Sequence, residues 1–169
     1  GNIMNRGGVT DRIFNFCKKT IGWIPGGLGH ANVLASVVFA GMSGSAVADA
    51  GGLGAIEIKA MKDNGYDEEF AVAITGASSC IGPIIPPTIS GVVYCVASGV
   101  SVGKMFIAGI LPGCCLAVVQ MIYVYIAAKK REYPRTPFGG FRDLSRSFVT
   151  SFPALLTPII ILGGIITGC

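Results

Sequence analysis

Apolar runs, interrupted by small, hydroxyl-bearing and helix-breaking residues, set the pattern of this chain. Over residues 1–26 the pattern is mixed, with Ile13, Phe14 and Phe16 beside Arg12, Lys18 and Lys19. It predicts the end of one membrane helix and then an interfacial amphipathic helix, with Trp23 at headgroup level. Residues 27–64 hold two apolar arms, Leu28 to Met42 and Ala46 to Met61, on either side of Ser43-Gly44-Ser45. Leu28 to Met42 is too short to span a bilayer comfortably. The two arms therefore predict a re-entrant helical hairpin, which is viable only if its tip is buried in protein or lines a wet cavity.

Residues 65–100 open on Asp67, Glu68 and Glu69, acids that suit a helix N-terminus. The apolar stretch that follows is interrupted by Gly82-Pro83-Ile84-Ile85-Pro86-Pro87. Each proline removes a backbone donor and disfavours helix in the residue before it. A broken transmembrane helix is the expectation: two half-helices with an unwound middle. Residues 101–131 form a further spanning helix, bent around Gly109 to Pro112. Residues 132–152 read as a loop and amphipathic helix, with Phe141, Leu144 and Phe148 on one face. Residues 153–169 start another transmembrane helix. The chain begins at Gly1, lacks a signal-peptide pattern and stops at Cys169 within an apolar run. It is read as an internal segment of a longer protein.

Composition agrees with this pattern. Hydrophobic residues make up 51% of the 169 positions and charged residues 13%, about half the share usual in soluble domains. The fold class is an all-α polytopic membrane protein. If the hairpin enters and leaves on one side, Arg6 to Lys19, Lys59 with Lys62, and the basic loop 129–146 share a compartment, and only Lys104 lies opposite. The positive-inside rule makes the crowded side cytoplasmic. Two full spans for Leu28 to Met61 give the same partition. No basic stripe interleaved with aromatics is present, so nucleic acid is not a partner. Six cysteines without a C-x-x-C pair, and a single histidine, give no transition-metal spacing. No P-loop for ATP occurs.

Two constellations could carry chemistry. The first is the tip, Gly41 to Gly54, and the second is Thr75 to Thr88 around the prolines. Broken helices expose carbonyls at one end, able to ligate a small hard cation, and amides at the other, able to hold a carboxylate. Asp49 is the one acid at the tip. It either charges a cation site or caps the returning helix and hydrogen-bonds across the tip. Ser43, Ser45, Ser78 and Ser79 either pack helices or, for at least two of them, ligate the cation. Gly41-Met42-Ser43-Gly44 also fits the G-x-S-G pattern of intramembrane serine proteases. His30, the only histidine, lies about 20 Å along the same helix, so an intramembrane serine protease, a remote alternative, would need a base from outside this chain. No catalytic residue is assigned.

Gly1 to Gly8, the tip, the Ile81 to Pro87 break and Gly109-Ile110-Leu111-Pro112-Gly113 together resemble the large permease, DctM type, of the tripartite ATP-independent periplasmic (TRAP) transporters. The resemblance spans essentially the whole chain. Thr88 departs from it, standing where the family has serine after the double proline, and keeps the hydroxyl. Cys95 and Cys114-Cys115 are also atypical. The resemblance implies a sodium-coupled secondary transporter of the bacterial inner membrane, with no cofactor beyond sodium as the coupling ion. It implies import of organic acids of the C4-dicarboxylate or sialic-acid type. The implied partners are a periplasmic substrate-binding protein and a small DctQ-type membrane subunit. The implied fold is an elevator of inverted repeats, of which this chain holds the first hairpin and broken helix. By motif, the cation falls to Ser43, Ser45, Asp49, Ser78, Ser79 and Gly82, and the substrate carboxylate to Gly44, Thr75, Pro86, Pro87 and Thr88. Other readings are a stand-alone cation-coupled anion carrier and a non-transporting scaffold, which would not need two polar breaks.

Overall fold

A computed structural model describes residues 9–133 and the isolated positions 156, 160, 163 and 164. The loop and amphipathic helix expected over 132–152, the helix start over 153–169 and the motif at residues 1–8 lie almost wholly outside the described residues. Among the described residues the fold is all-helical. Helix α1 spans Val9–Ile21, α2 Gly27–Ser43, α3 Ala46–Gly52, α4 Gly54–Asp63, α5 Glu68–Ser79, α6 Ile89–Ser98 and α7 Val102–Arg131.

The amphipathic pattern of α1 is expressed as a buried face of Thr10, Ile13, Phe14 and Cys17 against exposed Asp11, Arg12 and Lys19. Trp23 follows it and is half exposed. Helix α2 is apolar on nearly every side and is buried accordingly, as a helix without a polar face must be. It forms the centre of the assembly and packs against α1, α3, α4, α5 and α7.

The second arm, expected as one helix from Ala46 to Met61, is interrupted at Leu53. Leu53 keeps helical dihedrals (φ −83°, ψ −39°), and its amide still donates to the Asp49 carbonyl at 2.9 Å. The interruption lies among Gly51, Gly52 and Gly54, residues of low helix propensity. The proline-rich segment separates α5 from α6, and turns fill residues 80–87. Helix α7 is continuous through Pro112 and ends at Arg131.

Only one side of α7 is buried: Phe106, Gly113, Ala117, Gln120, Val124 and Ala128 form a stripe at helical spacing. Leu111, Val119, Tyr123 and Ile126 on its other faces are exposed, as are Val93 and Val96 of α6. Apolar surface of this extent requires lipid or further protein to cover it. Helix α7 is long and apolar enough to cross a bilayer.

At the polar end of the bundle, Tyr66, Phe70 and Tyr133 form an aromatic cluster, with Tyr66 and Tyr133 stacked at 4.4 Å. Beside it Asp67 accepts hydrogen bonds from Arg131 and from Tyr133 Oη, the latter at 2.7 Å. These bonds clamp the start of α5 to the end of α7.

Candidate functional site

Local sequence brings the hairpin tip onto the helix break. Gly44 ends α2 in the left-handed region (φ +58°), which a residue with a Cβ enters only with strain. A methyl group on Gly44 would collide with the Pro87 carbonyl oxygen, so tip and break touch through backbone. One added to Gly82 would lie 3.2 Å from the Ser45 carbonyl carbon. The tip therefore meets both sides of the break, Gly82 after α5 and Pro87-Thr88 before α6. The Pro86-Pro87 peptide is cis. Two of the expected site hydroxyls act as N-caps here. Ser45 Oγ accepts from the Ala48 amide at 3.4 Å, and Thr88 Oγ1 from the Gly91 amide at 2.8 Å.

Asp49, on α3, is 1% exposed, and neither carboxylate oxygen has a hydrogen-bond partner. The helix-cap reading of Asp49 thus has no hydrogen bond behind it; the cap of α3 is Ser45. The Ser36 and Ser79 hydroxyls adjoin the carboxylate. Ser36 Oγ, however, donates to Ser78 Oγ at 3.0 Å and Ser79 Oγ to the Thr75 carbonyl at 2.8 Å. Each hydroxyl has one proton, which can go either to that acceptor or to Asp49. Ser43 Oγ is also buried without a partner. A buried carboxylate with no cationic partner either binds a cation or is held as the neutral acid. Oxygen donors of this kind suit a hard cation.

Beneath Asp49 lies a polar network that sequence reasoning missed. Asn32, fully buried on α2, donates from Nδ2 to Glu57 Oε2 at 2.8 Å and to Thr75 Oγ1 at 2.7 Å. Its Oδ1 accepts from Ser78 Oγ at 2.7 Å. One amide thereby ties α2 to α4 and α5. Gln120 extends the polar contacts to α7, donating to the Ala77 carbonyl at 2.8 Å. Asn32, Ser36, Glu57 and Gln120 each stand singly within apolar surroundings, a pattern that reads as helix packing. Their partners lie tens of positions away, and no spacing rule connects them.

The expected residues other than Ser43 therefore fall into two groups. Gly44, Ser45, Gly82, Pro87 and Thr88 meet at the contact of tip and break, with Pro86 buried in the break itself. Asp49, Thr75, Ser78 and Ser79 are buried below, in or beside the Asn32 network. A cleft of about 380 Å³ between the break, α6 and α7 is lined by Thr88, Ser90, Tyr94 and apolar groups and has no charged residue. No hydrogen bond joins Ser43 to a base, and neither ring nitrogen of His30 has a partner.

Comparison with known proteins decides the family. The family described as "Tripartite ATP-independent periplasmic transporter, DctM component" matches residues 1–169. The chain belongs to this family. Among individual relatives, this DctM-family chain is 52% identical over 168 residues to the sialic acid TRAP transporter permease protein SiaT of Haemophilus influenzae, covering 99% of the chain and 27% of SiaT. It is 49% identical over 170 residues to the sialic acid TRAP transporter large permease protein SiaM of Vibrio cholerae, covering 99% of the chain and 39% of the relative. It is 40% identical over 166 residues to the C4-dicarboxylate TRAP transporter large permease protein DctM of Vibrio cholerae, covering 98% and 37%. The chain thus spans between 27% and 39% of the length of these relatives. All three are named as transporter permeases rather than enzymes, in keeping with a non-enzymatic reading.

Proposed function

We propose that the protein containing this chain is the large membrane subunit of a sodium-coupled secondary transporter that imports organic acids. The carrying observation is the contact of tip and break with Asp49 buried and unpartnered beneath it. A sodium ion held by Asp49 and neighbouring oxygens would supply the missing positive charge. Ser43, Ser78 and Ser79 are the nearest candidates among the hydroxyls, and the Ser45 and Gly82 backbone closes the site from above. The N-terminus of α6 at Thr88 offers amides and a positive dipole end to a substrate carboxylate, with Gly44, Pro86 and Pro87 around it and Thr75 bracing the site from below.

Relatives of both the sialic-acid and C4-dicarboxylate kinds are similar to this chain over nearly its whole length, and the sialic-acid relatives are nearer in identity. Sialic acid is accordingly the first substrate to test. A periplasmic binding protein and a small DctQ-type subunit complete the transporter in this reading. The two arms form a re-entrant hairpin on a moving elevator domain of the inner membrane, with the basic loop 129–146 on the cytoplasmic side. Placing the polar contact at the meeting of two helix interruptions is what a carrier requires: it must expose the site to each side in turn.

Sodium binding to the purified full-length protein tests the site directly. Wild type is expected to bind radioactive sodium saturably, and Asp49→Asn to lose at least tenfold in affinity. Ser45→Ala removes the cap of α3 and is expected to lower stability by about 1 kcal/mol while weakening sodium less than Asp49→Asn does. Equal sodium affinity in wild type and Asp49→Asn would remove Asp49 from the site.

A further inference from the structure

Glu57 is the other acid inside the bundle, and the cation reading of Asp49 does not use it. It lies on α4, 1% exposed, in a position as enclosed as the apolar core. Its Oε2 accepts one hydrogen bond, from the neutral amide of Asn32, and its Oε1 has no partner. No described salt bridge reaches it; those present, Lys62 with Glu68 and Arg131 with Asp67, are at exposed positions. The titratable groups facing Glu57 are Asp49 from α3 and Cys17 from α1. From α2 and α5 it meets Asn32 and, through that amide, Thr75, both uncharged. Among the described residues its surroundings thus hold no positive charge, and one neighbour, Asp49, is itself an acid.

A carboxylate in such a place must acquire a cation or remain protonated. The donor set chooses between these. Sodium needs several oxygens, whereas Glu57 has one free oxygen and faces the N–H side of Asn32, whose oxygen is turned to Ser78. A proton needs a single oxygen. We propose that Glu57 is a proton-binding site, held as the neutral acid with its proton on Oε1 and the Asn32 amide on Oε2. Ionisation breaks the Oε1–H bond, leaves the electron pair on the carboxylate and passes the proton to water.

The consequence for transport rests on the cation reading of Asp49. With Glu57 neutral, the buried site carries one negative charge and matches one monovalent cation. With Glu57 ionised it carries two, and by linkage the cation binds more tightly as the proton leaves. Occupancy of Glu57 by a proton therefore sets how strongly the neighbouring site holds its ion.

Infrared spectroscopy of the full-length protein in lipid nanodiscs tests this. A carboxylic-acid carbonyl band is expected at neutral pH in wild type and in Asp49→Asn, and is expected to vanish in Glu57→Gln, which keeps an acceptor for Asn32. If Glu57→Gln does not fold, Glu57→Asp serves instead: one methylene shorter and losing its hydrogen bond to Asn32, the acid's carbonyl band should move to higher frequency. A band unchanged by either substitution overturns the proposal. Sodium affinity should rise with pH in wild type and lose that dependence in Glu57→Gln; the same dependence in both would also overturn it. Absence of any saturable sodium binding in wild type, with the band present and assigned to Glu57, would sink the cation reading and leave the proton site standing.

Discussion

Single side chains decide whether this bundle is a packed scaffold or a binding site. Asn32 is the strongest structural case, because three helices depend on its one amide. Asn32→Ala leaves Glu57 Oε2 and Thr75 Oγ1 without their partner, whereas Ser78 Oγ keeps the Thr75 carbonyl. Each unpaired buried group costs about 1–3 kcal/mol, so a loss of about 2 kcal/mol or more is expected, read as a lower melting temperature of the purified protein. Asp67 acts at the opposite extreme, in the open. Hydrogen bonds from Tyr133 and Arg131 hold its carboxyl below the ordinary 3.8. A depressed folded-state value makes its contribution fully present above about pH 4, and the contribution fades as pH falls through the lowered value. Melting temperature followed from neutral pH into this acid range should therefore drop less steeply in Asp67→Asn than in wild type. An identical acid limb would mean that the clamp carries no stability.

The legibility of these residues followed their chemistry. Asp49 stood out because an acid in an apolar run is rare, and the two N-cap hydroxyls, Ser45 and Thr88, sat next to visible breakers. Asn32 and Glu57 were hidden: each is one polar residue at a helical position, and what gives it meaning is a partner 25 positions away.

At the scale of elements, helix boundaries follow breakers that the sequence displays. Gly44 stops α2, the prolines keep α5 and α6 apart, and Asp67 precedes α5. The split at Leu53 was not legible, because glycine is tolerated inside membrane helices and three nearby glycines did not mark a stop. Pro112 does not end α7, since one missing amide near the first third of a 30-residue helix leaves the rest of the ladder intact.

Contacts between elements are set by small residues. A side chain on Gly113 would collide with Ile85, which places α7 directly against the break. Gly113→Val should displace the break from α7 and lower the melting temperature by several degrees, while Gly103→Ala, with only a distant neighbour, should leave it unchanged. Gly44→Ala is expected to do more than destabilise: it separates tip from break and should abolish sodium binding even in protein that still folds. Retained binding in Gly44→Ala would show that the close contact is not needed.

On the scale of the whole molecule, the described helices form one half-covered bundle. The apolar outer faces of α6 and α7 demand lipid or the remainder of a longer chain, and the relatives are indeed about two and a half to four times longer than their matched segments. A helical membrane fold was readable from composition and periodicity, since 51% apolar residues leave few soluble alternatives. The packing order around α2 was not, because apolar faces that suit lipid equally suit a neighbouring helix.

The central claim is that ion and organic acid move together through a site shared by tip and break. Uptake into proteoliposomes tests it most directly, using the full-length protein with its small subunit and binding protein, labelled sialic acid and C4-dicarboxylates, and inward gradients of sodium or potassium. Uptake that requires sodium and the binding protein, and falls at least tenfold in Asp49→Asn, is the predicted result. Uptake that proceeds equally with potassium, or without the binding protein, would contradict it.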